Sequence, residues 1–223
     1  MRPLCLLLVL ALVPLASYGG TILMWNFETG SAAFTSGYTP STQTVPPTGM
    51  TDGHYTLVSD PSEAHQLWSS FGDHTTGSGN MMVVNSATAP DQAVWIADGA
   101  GLDLMTGARY ELSFFAAEVY RWDYDHGGPG VGSPASLAVY LDGALLGTFT
   151  LSQAPGIWTE YTVSFDAPSA HPDLRIVNTN TAWQGNDFAL DDITLHQPEP
   201  SAWMMGIGGV AAMLLLRRRR RAS

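Results

Sequence analysis

Apolar residues in the middle of this chain recur at every second position. Tyr110, Leu112 and Phe114 alternate with Glu111 and Ser113. Leu137, Val139 and Leu141 alternate with Ala138 and Tyr140, and Tyr161, Val163 and Phe165 with Thr162 and Ser164. Leu174 and Ile176 flank Arg175. A period of two puts one face of an extended strand on a core, and no segment sustains the 3.6-residue period of a helix. Asp142-Gly143 separates two apolar runs, 137–141 and 144–151, which predicts a hairpin. Further strands are expected at 55–58, 80–84, 93–96 and 188–195. Eight to ten short strands with turn residues between them predict an all-β fold, a β-sandwich or jelly roll.

Composition narrows the class. Charged residues are 13% of the 223, while Gly (23) and Pro (14) are frequent, which suits a secreted β-rich protein. A hydrophobic share of 45% with 7 Trp suffices for a core. The one cysteine, Cys5, lies in the N-terminal apolar run, so a processed chain has no disulfide, no Cys-ligated zinc and no Cys nucleophile. No lysine occurs, and the nine basic residues are all arginine. Six of them, Arg2 and the run 217–221, sit at the ends. Three arginines against 19 acids leave the interior near −16. Such a surface repels phosphate backbones and argues against nucleic-acid binding.

Each end carries an address. Arg2 followed by the apolar stretch Leu6–Leu15 and the small residues Ala16, Ser17, Gly19 and Gly20 reads as a signal peptide over 1–20. Cys5 precedes the apolar core, so a lipoprotein signal is excluded. At the other end, Pro198, Glu199 and Pro200 precede an apolar run over 202–216, then Arg217, Arg218, Arg219, Arg220 and Arg221. Fifteen helical residues span roughly 22 Å, a short transmembrane helix, and the arginines belong on the cytoplasmic side. The expected organisation is therefore signal peptide 1–20, β-sandwich 21–196 and sorting tail 197–223.

The tail resembles the PEP-CTERM sorting signal of Gram-negative bacteria, with all three parts in order. That resemblance implies recognition by an exosortase, a transient stay in the inner membrane, and delivery to the cell surface or extracellular matrix, in company with extracellular polysaccharide. The body resembles galactose-binding-like jelly rolls at two places, Asn26-Phe27-Glu28 and the stretch Gly185–Ile193. In those families the first and last strands lie together and close a structural Ca2+ site. Carried over, this implies Glu28 and Asp191 as ligands, with Asp192 as the alternative.

Calcium takes six to eight oxygens, which carboxylates and carbonyls supply. Asp123-x-Asp125-x-Gly127 echoes a calcium loop but lacks its closing Glu. For sugars, aromatic faces stack on rings while amides and carboxylates take hydroxyls. Trp122 and Tyr124, beside Tyr120, fall in a Gly-rich loop. Trp183 with Gln184, Asn186 and Asp187 forms a second cluster, and Trp68 with His65, Asp73 and His74 a third. The expected sugar-binding residues are Trp122, Tyr124 and Trp183. Trp25, Trp95 and Trp158 fall in or near apolar strands and read as core. Six scattered histidines form no His-Glu-x-x-His and no Ser elbow is present, so no catalytic residue is assigned and no enzyme is expected. The reading is an exported, non-enzymatic envelope or matrix protein. A carbohydrate-binding module and a secreted glycoside hydrolase are the alternatives.

Overall fold

In a computed structural model, residues 20–28, 33–41, 49–97, 102–121, 132–182 and 184–198 are described. Residues 1–19 of the expected signal peptide, the tail from Glu199 onward, Trp122, Tyr124 and Trp183 lie outside them, as does the Asp123-x-Asp125 stretch. Thr21–Pro198 forms one compact unit.

Twelve strands are present among the described residues: β1 (Gly20–Trp25), β2 (Phe34–Thr35), β3 (Thr39–Pro40), β4 (His54–Val58), β5 (Met81–Asn85), β6 (Ala93–Ala97), β7 (Arg109–Glu118), β8 (Ser136–Leu141), β9 (Ala144–Thr150), β10 (Thr159–Asp166), β11 (Leu174–Asn178) and β12 (Phe188–Gln197). A seven-stranded sheet runs β10-β7-β12-β5-β4-β3, with β1 also on β12. A five-stranded sheet runs β2-β6-β11-β8-β9. Along both strand orders the pairing is antiparallel except for the two-residue β3, which runs parallel to β4. The chain is therefore all-β with two packed sheets, as the alternation requires. The expected hairpin joins β8 to β9. Asp142 (φ 48°) and Gly143 (φ 79°) are both left-handed, as the tightest two-residue hairpin turn demands.

Between the sheets, Leu112, Phe114, Leu137, Val139, Leu174, Ile176, Phe188 and Leu190 pack with Trp25 and Trp95. The two indoles meet edge-on, with centroids 4.9 Å apart. A second apolar cluster lies on the other face of the large sheet. All five β5 residues are buried, with Met82 and Val84 in the inter-sheet core and Met81 and Val83 in this outer cluster. The outer cluster is covered by the segment 60–80. Asp60 caps a short 3-10 turn there (Pro61–Glu63) by accepting from the Ser62 amide at 2.9 Å. Trp68 from that segment is 1% exposed. So the unbroken apolar run in β5 marks a strand covered on both faces. Trp158 is less enclosed than expected, partly buried against Phe71 with its Nε1–H donated to Gly72 O at 3.1 Å.

Candidate functional site

Beyond β5 the sandwich ends in a belt of buried polar groups. Ser86 hydroxyl donates to Asn186 O, at 2.5 Å, and Asn178 Nδ2 donates to Ser86 Oγ at 2.8 Å. Ser86 N–H and Trp68 Nε1–H, each at 3.1 Å, donate to the two carboxylate oxygens of Asp187. Gln184 Nε2 donates to Tyr120 OH at 2.6 Å. The Asn85 amide donates to Met50 O. On the outer face of the large sheet these groups border a cleft of about 210 Å³ lined by Asp52, His65, Leu67, Asn85, Tyr120, Gln184 and Asp187.

This cleft merges two clusters that stand 119 residues apart in the chain. His65 and Trp68 come from the covering segment, and Gln184 and Asp187 from the approach to β12. Trp68 itself is a correction. It is buried, its indole is spent on Asp187, and its ring lies 5.1 Å from that of His65, so it offers no open face to a sugar. Asp73 and His74 depart from their cluster altogether. Asp52 and Asn85 were not singled out by the sequence, since nothing in a turn Asp or a strand-end Asn marks them.

Electrostatics separate the cleft from an ordinary surface. Burial pushes the Asp187 carboxyl up to about 6, opposed by the donors Ser86 and Trp68 and aided by Asp52. Burial lowers His65 from its usual value, with Asp52 acting the other way. Beneath the sheet, burial holds Glu118 well above the carboxylate range, although the amides of Val119 and Tyr120 donate to its Oε1. Within the cleft, Asp187 and Asn85 offer acceptors, Gln184 offers both kinds of group, and Tyr120 and His65 offer rings. That mixture suits hydroxyl-rich ligands.

The residues named for calcium meet elsewhere, on the loop 72–80. Glu28 Oε1 accepts from the Asn80 amide at 2.6 Å. Asp191 Oδ2 accepts from the amides of His74 (2.8 Å) and Thr75 (3.2 Å). Asp192 joins through His74 Nδ1 at 2.6 Å and Thr75 hydroxyl at 2.8 Å. Neighbours on a strand ordinarily face opposite ways. Here β12 bulges between Asp191 and Thr194, and Asp192 is left-handed (φ 45°), so both carboxylates reach one loop. Asp73 folds back on its own loop, accepting from Gly79 N–H at 2.7 Å and Thr76 N–H at 2.9 Å. A Cβ at Gly79 would stand 1.8 Å from Glu28 Oε1 and 3.0 Å from Asp73 Oδ2, so only glycine fits between them. Among the described residues, no group of three His, Cys, Asp or Glu side chains is placed to hold a metal ion by itself.

Family models and curated proteins give no match. Solved structures do. The CBM22-1 and GH10 modules of a Clostridium thermocellum endo-1,4-β-D-xylanase, complexed with xylohexaose, are 17% identical with a TM-score of 0.48. The match covers 82% of this chain and 29% of that one. The CBM22-1 xylan-binding domain from Paenibacillus barcinonensis is 9% identical, TM-score 0.42, covering 82% and 97%. The K3 cleaved adhesin domain of Lys-gingipain from Porphyromonas gingivalis is 17% identical, TM-score 0.48, covering 81% and 100%. This chain spans under a third of the xylanase chain. With every one of these scores below 0.5, the functional reading rests on the chain's own residues.

Proposed function

We propose that this is an exported, non-enzymatic protein of the cell envelope or extracellular matrix that holds extracellular polysaccharide in the cleft around Asp187. The carrying observation is that lining: Asp52, His65, Asn85, Gln184 and Asp187 around one opening, beside Tyr120. Hydrogen-bonding groups of both kinds on a sheet end match sugar hydroxyls.

Affinity electrophoresis over a panel of neutral and acidic polysaccharides tests this. Retardation by at least one polymer is expected, and Gln184→Ala or His65→Ala should weaken it about tenfold while leaving stability within ~1 kcal/mol. Uniform free migration across the panel would end the proposal. Asp52 and Asp187 on one cleft also favour a second reading, a glycoside hydrolase using the raised carboxyl as acid. Release of reducing ends from a bound polymer separates it from the first.

Sorting belongs to the same proposal. Pro198-Glu199-Pro200, the apolar run and the arginines address the chain to an exosortase at the inner membrane, which removes the tail. The intact mass of the exported protein should then lack the residues after about Pro200. A mass that includes the five arginines would refute it. A structural calcium ion at Glu28 and Asp191 completes the reading. The donors are all oxygen, as calcium requires, and backbone carbonyls and water would supply the rest of its shell.

A further inference from the structure

The five-stranded sheet carries a feature the cleft does not use. Leu174 and Ile176 of β11 and Leu137, Val139 and Leu141 of β8 enter the core. Arg175 and Tyr140 therefore face outward. Register sets Ile96, Arg175, Tyr140 and Leu145 in one row across β6, β11, β8 and β9. On this row lies a half-open hollow of about 130 Å³ lined by Asp91, Tyr140, Gly143, Arg175 and Val177.

Three observations mark it as built for a ligand. The Arg175 guanidinium carbon stands 6.0 Å from the Tyr140 ring centroid, so cation and ring share one wall. Arg175 Nε is buried with no hydrogen-bond partner, and the ion pair with Asp173 Oδ2 is long at 3.7 Å. That Nε–H therefore has only the long pair with Asp173 and no hydrogen bond, a donor left unsatisfied at the wall of the hollow. Finally, the rim is open at Gly143, where a Cβ would meet nothing within 4 Å, and Asp91 supplies an acceptor from a left-handed turn (φ 63°).

We propose that this hollow is a second carbohydrate site, taking one ring of a neutral pyranose polymer on the sheet opposite the cleft. The ring would lie against Tyr140, Arg175 would donate to its oxygens, and Asp91 would accept from its hydroxyls. Asp91 lines the hollow and Asp173 pairs with Arg175, so two carboxylates stand against one guanidinium, and an acidic sugar meets net repulsion while a neutral one does not. With the cleft on the other sheet, the domain becomes bivalent and can tie two polysaccharide strands together. The proposal shares the polysaccharide reading above, but its residues are separate from those of the cleft.

Backbone amide resonances distinguish the two sites. Xylohexaose, cellohexaose, mannohexaose and hexagalacturonate are titrated into the domain, following Gly143 and Val177 for the hollow and Asn85 and Gln184 for the cleft. At least one neutral hexaose should shift Gly143 and Val177 saturably. Tyr140→Leu and Arg175→Met should each weaken that response at least tenfold and leave the cleft signals alone. Asp91→Asn keeps the left-handed backbone, which asparagine tolerates, and should also weaken it. Hexagalacturonate should bind the hollow at least tenfold more weakly than the best neutral sugar. The proposal is overturned if no hexaose shifts Gly143 and Val177, if the three variants respond like the parent, or if hexagalacturonate binds there as well as the neutral sugars. Shifts at the hollow with a silent cleft would sink the cleft reading alone.

Discussion

Asp73, within the covering segment, and Asp187, beneath it, are both buried carboxylates, and their surroundings drive them in opposite directions. Burial raises both. Asp73 sits inside its own loop, where Thr76, Gly79 and Ser78 amides more than offset that cost and hold it below the usual range. Asp187 receives one amide and one indole, which leaves it at about 6. Asp191 accepts three amides and still stands at about 6, so the supply of N–H donors tells only together with depth of burial and like charge nearby. A loop that wraps a carboxylate makes it a structural pin. A sheet end that only half satisfies one keeps it available to a ligand, and that is where the cleft lies.

Trp68 spans both regions, anchoring the covering segment and donating to Asp187. Trp68→Ala should cost about 4 kcal/mol, read from urea unfolding, because it empties a site that is 1% exposed. A cost below ~1 kcal/mol would show that the segment is not held from this point.

The pH response follows from the two shifts. Asp187 is raised from 3.8 to about 6 in the folded state, so the native protein binds more protons than the unfolded chain between those values. Stability therefore falls as pH rises from about 4 to about 6, by on the order of 3 kcal/mol from this group. Asp73 is lowered, so its contribution is present above pH 3.8 and is lost as pH falls further. Asp191 is raised to about 6 as well, and Glu118 is also raised, so Asp187→Asn should remove roughly half of the limb between pH 4 and 6, and an unchanged slope would break the contrast between Asp187 and Asp73.

The smallest effect concerns the loop 72–80. Calcium should raise the melting temperature by a few degrees at saturating concentration, and Glu28→Ala should abolish the rise. If chelation moves nothing, amide donors alone hold that loop.

Much of the scaffold was legible in the sequence. The alternating runs became β7, β8, β10 and β11, because one face of each meets the core. Asp142-Gly143 became the hairpin turn because those residues tolerate positive φ. The missed strands, β1, β2 and β3, are short or mostly exposed, so little burial stamps a pattern on them. Glu28 and Asp191 both hold the loop 72–80, Glu28 at Asn80 and Asp191 at His74 and Thr75. That outcome needs Phe27 at φ 59°, a strained position for a phenylalanine, held because its ring packs edge-on against Phe34 at 5.5 Å. No local pattern announces such strain.

By itself the sequence determined the periodicity and the turns, because these depend on each residue's neighbours along the chain. The apolar runs, small residues and arginines on which the proposed terminal addresses rest are likewise legible without a fold. The tertiary structure decided which polar residues share a surface. Asp52, His65, Asn85, Gln184 and Asp187 are spread over 136 positions and gather only when β5, β12 and the covering segment pack. Arg175 and Tyr140 meet only through the register of β11 on β8. Burial and hydrogen-bond supply, which set a carboxyl to pin or to bind, exist only once those surfaces have closed.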